Sequence, residues 1–223
     1  MISLCLATRQ RPEHFLKLCS TALYFADHPE NIEFVTYHDV DDRTEYYYVG
    51  NHKEVFGPRS IDIFAMANEC QKVATGPIYM FTADDFYFES NHWDTKILDV
   101  FDKYDDKIVL VCPEGKYWKN WRFSPVGFLH KNWVDTVGYL LPQYDGGQAA
   151  DRWVNELARS INRRVRLEDV IITHENVKDQ LHHEKNKRGL RNHWSEKYWT
   201  LEVSRIREKD IEKLRDKCTK TPS

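Results

Sequence analysis

An α/β fold is what this sequence predicts: a mostly parallel sheet flanked by helices, with a helical tail at the C-terminal end. Three observations predict it. Short apolar runs alternate with longer segments of helical apolar spacing, the links between them are short, and charged residues follow directly on the apolar runs. Strand, helix and strand in that order, joined by short links, require crossover helices and therefore parallel pairing.

The elements follow in order. Ile2–Ala7 is a first strand, ending in Thr8, Arg9, Gln10 and Arg11. Pro12 suits the first turn of a helix, and Phe15, Leu16, Cys19, Ala22, Leu23 and Ala26 recur at helical spacing after it. His28-Pro29-Glu30-Asn31 breaks that helix, and Ile32–Tyr37 is the next strand, running into His38, Asp39, Val40, Asp41 and Asp42. Tyr46–Val49 reads as a small strand, and Gly57-Pro58-Arg59 as a turn before a helix over about 60–74. Gly76-Pro77 stops the helix, and Ile78–Phe81 is a buried strand delivering Thr82, Ala83, Asp84 and Asp85. A short strand (Phe86–Phe88), a helix near 93–104 and the strand Ile108–Cys112 come next. Residues 114–125 are an aromatic, basic loop; order resumes at Val126–His130, and 131–140 make a helix and turn. Gln143–Gln148, with Gly146 and Gly147, is a flexible loop before a helix marked by Trp153, Val154, Leu157, Ala158 and Ile161. Arg164–Ile172 is the last strand, ending at Thr173, His174 and Glu175. The boundary falls there: 1–175 is the α/β domain and 176–223 a basic, aromatic, helical tail packed on it.

Composition narrows the classes. A chain of 223 residues with 41% hydrophobic and 30% charged side chains buries a substantial core and is not disordered. The longest apolar runs are five or six residues, so no transmembrane helix and no membrane partner is expected. The start lacks signal-peptide features, and the five scattered cysteines form no C-x-x-C pair. They read as core thiols of a reducing compartment, so a cytoplasmic location is expected. The net charge of −3 divides into +4 over residues 175–223 and −7 elsewhere. That disfavours a polyanion binder as a whole while leaving a basic tail able to touch nucleic acid.

In an open parallel sheet, ligands bind outside the carboxyl ends of the strands. Those ends carry Thr8, Arg9 and Arg11 beside a helix start, then Asp39 and Asp41, then Asp84 and Asp85, and finally His174. Cations, carboxylates and an imidazole at one edge suit a diphosphate held with a divalent metal. Each also has a plainer reading. Arg9 and Arg11 can be a solvated helix start, Asp39–Asp42 turn chemistry, and His174 a structural histidine. Adjacent Asp84 and Asp85 repel unless a cation neutralises them, which favours a metal or nucleotide contact. G-x-G-x-x-G, Walker and G-x-S-x-G motifs are absent, which removes the dinucleotide, P-loop and hydrolase readings.

The order Ile2-Ser-Leu-Cys-Leu-Ala-Thr-Arg-Gln-Arg-Pro12, then Glu33-Phe-Val-Thr-Tyr-His-Asp39, resembles the start of a family-2-like glycosyltransferase of GT-A (Rossmann-like) fold. So do Gly57-Pro-Arg59 with Ala67-Asn68, and Gly76-Pro-Ile-Tyr-Met-Phe-Thr-Ala-Asp-Asp85. Gly127-Phe-Leu-His-Lys-Asn-Trp133 and Asp151-Arg-Trp153 are similar to small bacteriophage-encoded members. The usual Asp-x-Asp is here Thr82-Ala83-Asp84-Asp85, a shortened double-Asp form. The resemblance implies that Thr8, Arg9 and Arg11 line a nucleotide diphosphate, with Arg59 near the base or diphosphate. It implies that Asp39 accepts a hydrogen bond from the base and that Asp84 contacts ribose or metal. Asp85 would bind Mg²⁺ or Mn²⁺, and His174 would complete the metal shell. The donor implied is a nucleotide sugar, a UDP-sugar in particular.

Glycosyl transfer needs the leaving diphosphate neutralised and a base for the acceptor hydroxyl. Asp151, opening its helix after the glycine-rich loop, is the candidate base, with Asp145 the runner-up; the plain alternative is an ordinary N-terminal helix residue. Three functions stay open. The first is an inverting transferase acting on a hydroxymethylated pyrimidine in phage DNA, in the host cytoplasm. There the tail's Lys185, Lys187, Arg188, Arg191, His193, Trp194, Lys197, Tyr198 and Trp199 would meet phosphate and bases. The second is transfer to a glycan or cell-surface polymer, and the third a non-catalytic nucleotide-sugar-binding module.

Overall fold

The computed structural model of the chain describes residues 1–59, 62–116, 123–143, 149–175 and 198–218. Asp145, the Gly146-Gly147 loop and the tail residues from Lys185 to Lys197 lie outside the described residues. β1 (Ile2–Thr8) and β2 (Ile32–Asp39) are buried along almost their whole length, as strands covered on both faces must be. Between them α1 (Pro12–Tyr24) begins with proline and buries Phe15, Leu18, Cys19 and Ala22. β3 (Asn51–Gly57) follows, then α2 (Ile63–Val73), whose N-cap Asp62 accepts from the N–H groups of Phe64 and Ala65. The remaining elements are β4 (Ile78–Phe81), β5 (Phe86–Phe88), α3 (Trp93–Asp102), β6 (Leu110–Glu114), β7 (Gly127–His130), α4 (Lys131–Val137), α5 (Ala150–Ser160), β8 (Arg164–His174) and α6 (Leu201–Lys217).

The strands order as β3-β2-β1-β4-β7-β6-β8-β5. β1 pairs in parallel with β2 and β4, β2 with β3, and β6 with β8. β7 is antiparallel to both β4 and β6, and β5 to β8, so the sheet is mixed, with parallel pairings in the majority. Side chains alternate between two cores. Cys5, Tyr79, Phe81, Leu110 and Cys112 face α2, α4 and α5; Leu4, Leu6, Met80, Val109 and Val111 face α1 and α3. α6 packs against α4 and α5, burying Val203 and Leu214, and Tyr139 donates a hydrogen bond to its buried Asp210.

Three elements differ from the sequence expectation. Tyr46–Val49 is not a strand: Tyr46 and Val49 pack on the α1-side core, and the ladder on β2 forms one segment later, at Asn51–Gly57. The helix expected from about 60 begins at Ile63, where Asp62 caps it. β6 is displaced two residues, since Leu110 is the first to pair with β8 and the strand runs through Pro113 to Glu114.

Strand direction fixes what meets at one edge. β1, β2, β4, β6 and β8 run the same way, so their carboxyl ends share that edge. β7 begins there, with Gly127 opposite Phe81. A Cβ on Gly127 would stand 2.8 Å from Leu110 and 3.0 Å from the Phe81 ring, so only glycine fits this crossing without displacement. α5 leads into β8 and must run against it, which brings its first turn to the same edge.

Candidate active site

The β1–α1 link is the centre of the site. Gln10 adopts a left-handed conformation (φ 55°), held by its N–H donating to Asp42 Oδ2 at 3.2 Å and Tyr46 Oη at 2.9 Å. The turn sends the flanking arginines to different partners. Arg9 donates to Asp39 Oδ2 at 3.0 Å and to both oxygens of Asp41, at 2.6 and 3.2 Å. Arg11 donates to Asp84 Oδ1 at 3.1 Å, and Thr8 Oγ1 donates to Asp84 Oδ2 at 2.8 Å. Asp85 Oδ2 lies 2.9 Å from His174 Nε2, and the Glu175 N–H donates to the Asp85 carbonyl at 2.9 Å. Seven side chains expected at strand ends, Thr8, Arg9, Arg11, Asp39, Asp84, Asp85 and His174, therefore stand along one edge.

Their environments differ. Asp84 is buried, and desolvation pushes its carboxyl up to about 6; Arg11 pulls it back, while the Asp85 charge adds to the rise. Burial also acts on Asp85, but the hydrogen bond and charge of His174 outweigh it and hold the carboxyl below its ordinary value. Asp39 keeps one buried oxygen, Oδ1, without a hydrogen-bond partner among the described residues. Arg59 lies exposed just past β3, close enough for its charge to help lower Asp41, after the larger effect of Arg9.

The metal set expected from Asp84, Asp85 and His174 is not gathered as a trio. Among the described residues no three His, Cys, Asp or Glu side chains converge, because both oxygens of Asp84 turn to Thr8 and Arg11. Asp85 and His174 remain a pair. They are joined by a hydrogen bond at 2.9 Å, which a bound ion would replace. A hard divalent ion that keeps several waters and takes substrate phosphates needs no more protein ligands than these. The donor set therefore fits such an ion, with Asp84 outside its shell in this arrangement.

Two further contacts secure the imidazole. The Phe86 ring lies parallel to it, and the next residue, Glu175, is tied to His14 Nδ1 at 3.0 Å and to Lys17. α1 thus touches both halves of the edge, Arg11 at its start and Lys17 a turn and a half later.

Asp151 sits in the first turn of α5, partly buried, its Oδ1 accepting from the Arg152 N–H at 2.8 Å. Desolvation pushes its carboxyl up to about 6 against the opposing backbone hydrogen bonds and Arg152 charge. Asn155, one turn on, donates to the Asp151 carbonyl and exchanges hydrogen bonds with the Ser124 backbone at 2.9 and 3.0 Å. This clamps the approach to β7 onto α5. Glu114, at the carboxyl end of β6 and paired with Arg166, is a charged residue at this edge that the sequence reading passed over. The signal was its place after an apolar strand, hidden by ending that strand at Cys112.

No family model matches the chain, and no curated protein sequence resembles it. Solved structures do resemble it in fold. A Pyrobaculum calidifontis mannosyltransferase, PcManGT, in complex with GDP-Man and Mn²⁺, superposes with a TM-score of 0.65 at 12% identity, over 97% of this chain and 69% of that one. Staphylococcus aureus TarS 1-349 in complex with UDP gives 0.62 at 15% identity, over 97% and 89%. The chain spans about half of the longer TarS structure, 49% of its length. These neighbours are GT-A glycosyltransferases, and the chain has their fold.

Proposed function

We propose that this protein is a metal-dependent, inverting glycosyltransferase that moves a sugar from a nucleotide-sugar donor, a UDP-sugar, to an acceptor hydroxyl. One observation carries the reading: Thr8, Arg9, Arg11, Asp39, Asp84, Asp85 and His174 share the edge at which Asp151 opens its helix. The neighbours in complex with GDP-Man and Mn²⁺, UDP or UDP-GlcNAc support it at the level of fold.

Each residue has a task. The spare Oδ1 of Asp39 accepts from a base N–H, relieving a buried oxygen that has no other partner among the described residues. Arg59 supplies positive charge near the base or diphosphate. The α1 N-terminus and Arg11 favour the diphosphate electrostatically, and Arg11 holds Asp84 toward the ribose. Asp85 and His174 would hold Mn²⁺ or Mg²⁺, which supplies charge neutralisation for the leaving group. Asp151 accepts the proton of the acceptor hydroxyl as its oxygen attacks the anomeric carbon. The bond from that carbon to the diphosphate oxygen breaks on the opposite face, and the nucleoside diphosphate departs with the electron pair. A carboxyl raised to about 6 is ionised at neutral pH and more basic than an exposed aspartate.

The resemblance to phage members implies a hydroxymethylated pyrimidine in DNA as acceptor. The feature that would serve it is Trp199, 57% exposed, with the Arg152 guanidinium 4.7 Å from its ring centre. We propose residues 1–175 as the catalytic domain and the remainder as its tail. The test is a thermal-shift screen of nucleotide sugars with and without Mn²⁺, since a bound donor stabilises by mass action. A metal-dependent shift with a UDP-sugar that disappears in Asp85→Asn is expected. No shift with any donor overturns the reading.

A further inference from the structure

Asp42 is tied to both sides of the donor edge. It closes a turn on Asp39, its N–H donating to the Asp39 carbonyl at 2.9 Å. Its Oδ1 accepts from the Thr44 N–H at 3.1 Å and from Thr44 Oγ1 at 2.7 Å. Its Oδ2 accepts from Tyr46 Oη at 2.8 Å and from the Gln10 N–H at 3.2 Å. Tyr46 Oη accepts from the same Gln10 N–H at 2.9 Å, so carboxylate and phenol together enclose one amide. Burial would raise the Asp42 carboxyl, but the hydrogen bonds from Thr44, Tyr46 and Gln10 outweigh it and hold the group below its ordinary value.

The arrangement demands a carboxylate. The two hydroxyls can turn, but the two backbone N–H groups cannot, and they point at different oxygens. An asparagine here would set its NH₂ against one of them. Anchoring of the chain after β2 accounts for the bonds from Thr44 and Tyr46. It does not account for the bond to Gln10, which reaches across 32 positions to a residue at φ 55°. A side chain with a Cβ is disfavoured in that conformation, and such residues persist where their surroundings hold them, often at functional sites. Here the strained residue separates Arg9, committed to Asp39 and Asp41, from Arg11, committed to Asp84.

We propose that Asp42 is a positioning residue of the donor site: it holds Gln10 left-handed and, through that turn, directs Arg9 toward the base side and Arg11 toward the diphosphate side. Asp42 itself touches no substrate. The role rests on the nucleotide-sugar reading above and adds to it a residue that acts through the main chain. A residue at home in the left-handed region at position 10 then makes the carboxylate dispensable.

The test is isothermal titration of the full chain with UDP in the presence of Mn²⁺. Asp42→Asn should weaken UDP by about tenfold, the scale on which a left-handed backbone is disfavoured for a residue with a Cβ. Adding Gln10→Gly to Asp42→Asn should recover most of that loss, because glycine takes a positive φ without steric cost. Glycine at position 10 could not replace a carboxylate that only anchored the Thr44 turn. If Asp42→Asn fails to fold, Tyr46→Phe carries the same comparison with and without Gln10→Gly, since it removes the other acceptor of the Gln10 N–H. Unchanged UDP affinity in the single variant, or a loss that Gln10→Gly does not recover, overturns the role. Failure of wild-type protein to bind UDP overturns the donor reading, and this role with it.

Discussion

His174 lies flat against Phe86: the ring centres are 4.3 Å apart and the planes differ by 7°, while Nε2 stands 2.9 Å from Asp85 Oδ2. The two residues also face each other in the antiparallel β5–β8 register. The stack fixes the imidazole plane and the strand pairing fixes its height, so the nitrogen has little freedom to leave Asp85.

That relationship predicts the effect of Phe86→Leu. The leucine fills most of the buried volume but cannot hold the ring plane. Mn²⁺ affinity, measured by electron paramagnetic resonance without donor, should fall about tenfold, as for other residues that orient metal-bound histidines. Unchanged affinity would mean that Asp85 alone sets metal binding.

Asp151→Asn keeps size and most hydrogen bonding but removes the proton acceptor. Turnover should drop by about 10²–10⁴ with donor affinity retained, because the base faces the acceptor. In wild-type protein kcat should fall as pH drops through about 6, the value to which burial raises this carboxyl. The variant's residual rate should lose that acid limb. A variant of full activity, or one that no longer binds donor, would reject the role. If Asp145→Asn alone loses turnover, the base lies one loop earlier.

Glu33 should contribute to the loss of stability in acid. Burial would raise its carboxyl, but hydrogen bonds from Ser3 and Thr75 and the Lys53 ammonium outweigh it and hold the group at about 2, against an ordinary 4.5. A depressed carboxyl stabilises the fold fully above its unfolded value, and that stability is lost as pH falls from about 4.5 toward 2. The amount is about 3 kcal/mol. Urea titrations of Glu33→Gln should show lower stability at pH 7 and a smaller decline between pH 4.5 and 2. Parallel curves for the two proteins would count against it.

His52 acts in the window above. Its ring centre lies 4.1 Å from that of Tyr48, both ring nitrogens are unbonded among the described residues, and burial lowers it to about 4. The unfolded chain takes up its proton first, so stability should fall as pH drops from about 6.5 to 4. Asp84 and Asp151, raised by burial, bend the curve the other way across part of that range. The readout is therefore the difference between wild type and His52→Phe, and the variant should lose the histidine's share of the decline. Identical pH dependence would show His52 to be hydrated.

The sequence made much of the edge legible for one physical reason: charges placed directly after apolar strands must end up at the carboxyl side of a sheet. That rule located Thr8, Arg9, Arg11, Asp39, Asp84, Asp85 and His174. It could not foresee that Asp84 turns both oxygens to Thr8 and Arg11, the latter reaching it from beyond the left-handed Gln10. β3 escaped notice because Asn51–Gly57 has no apolar alternation of its own; its ladder on β2 supplies the order. Glu114 was missed because Pro113 reads as the end of a strand, whereas β6 carries on through it to an irregular register with β8.

The span of α1 from Arg11 to Lys17 serves as a gauge length. Its start fixes Asp84 and its side fixes Glu175, and hence the chain beside His174. One residue inserted between Arg11 and His14 would rotate everything after it by about 100° and advance it by about 1.5 Å. His14 and Lys17 would then leave Glu175 while Arg11 still held Asp84. Composition along this helix is negotiable on its outer face, but its residue count is not, and a graft or loop redesign of the β1–α1 junction has to preserve phase before it preserves sequence.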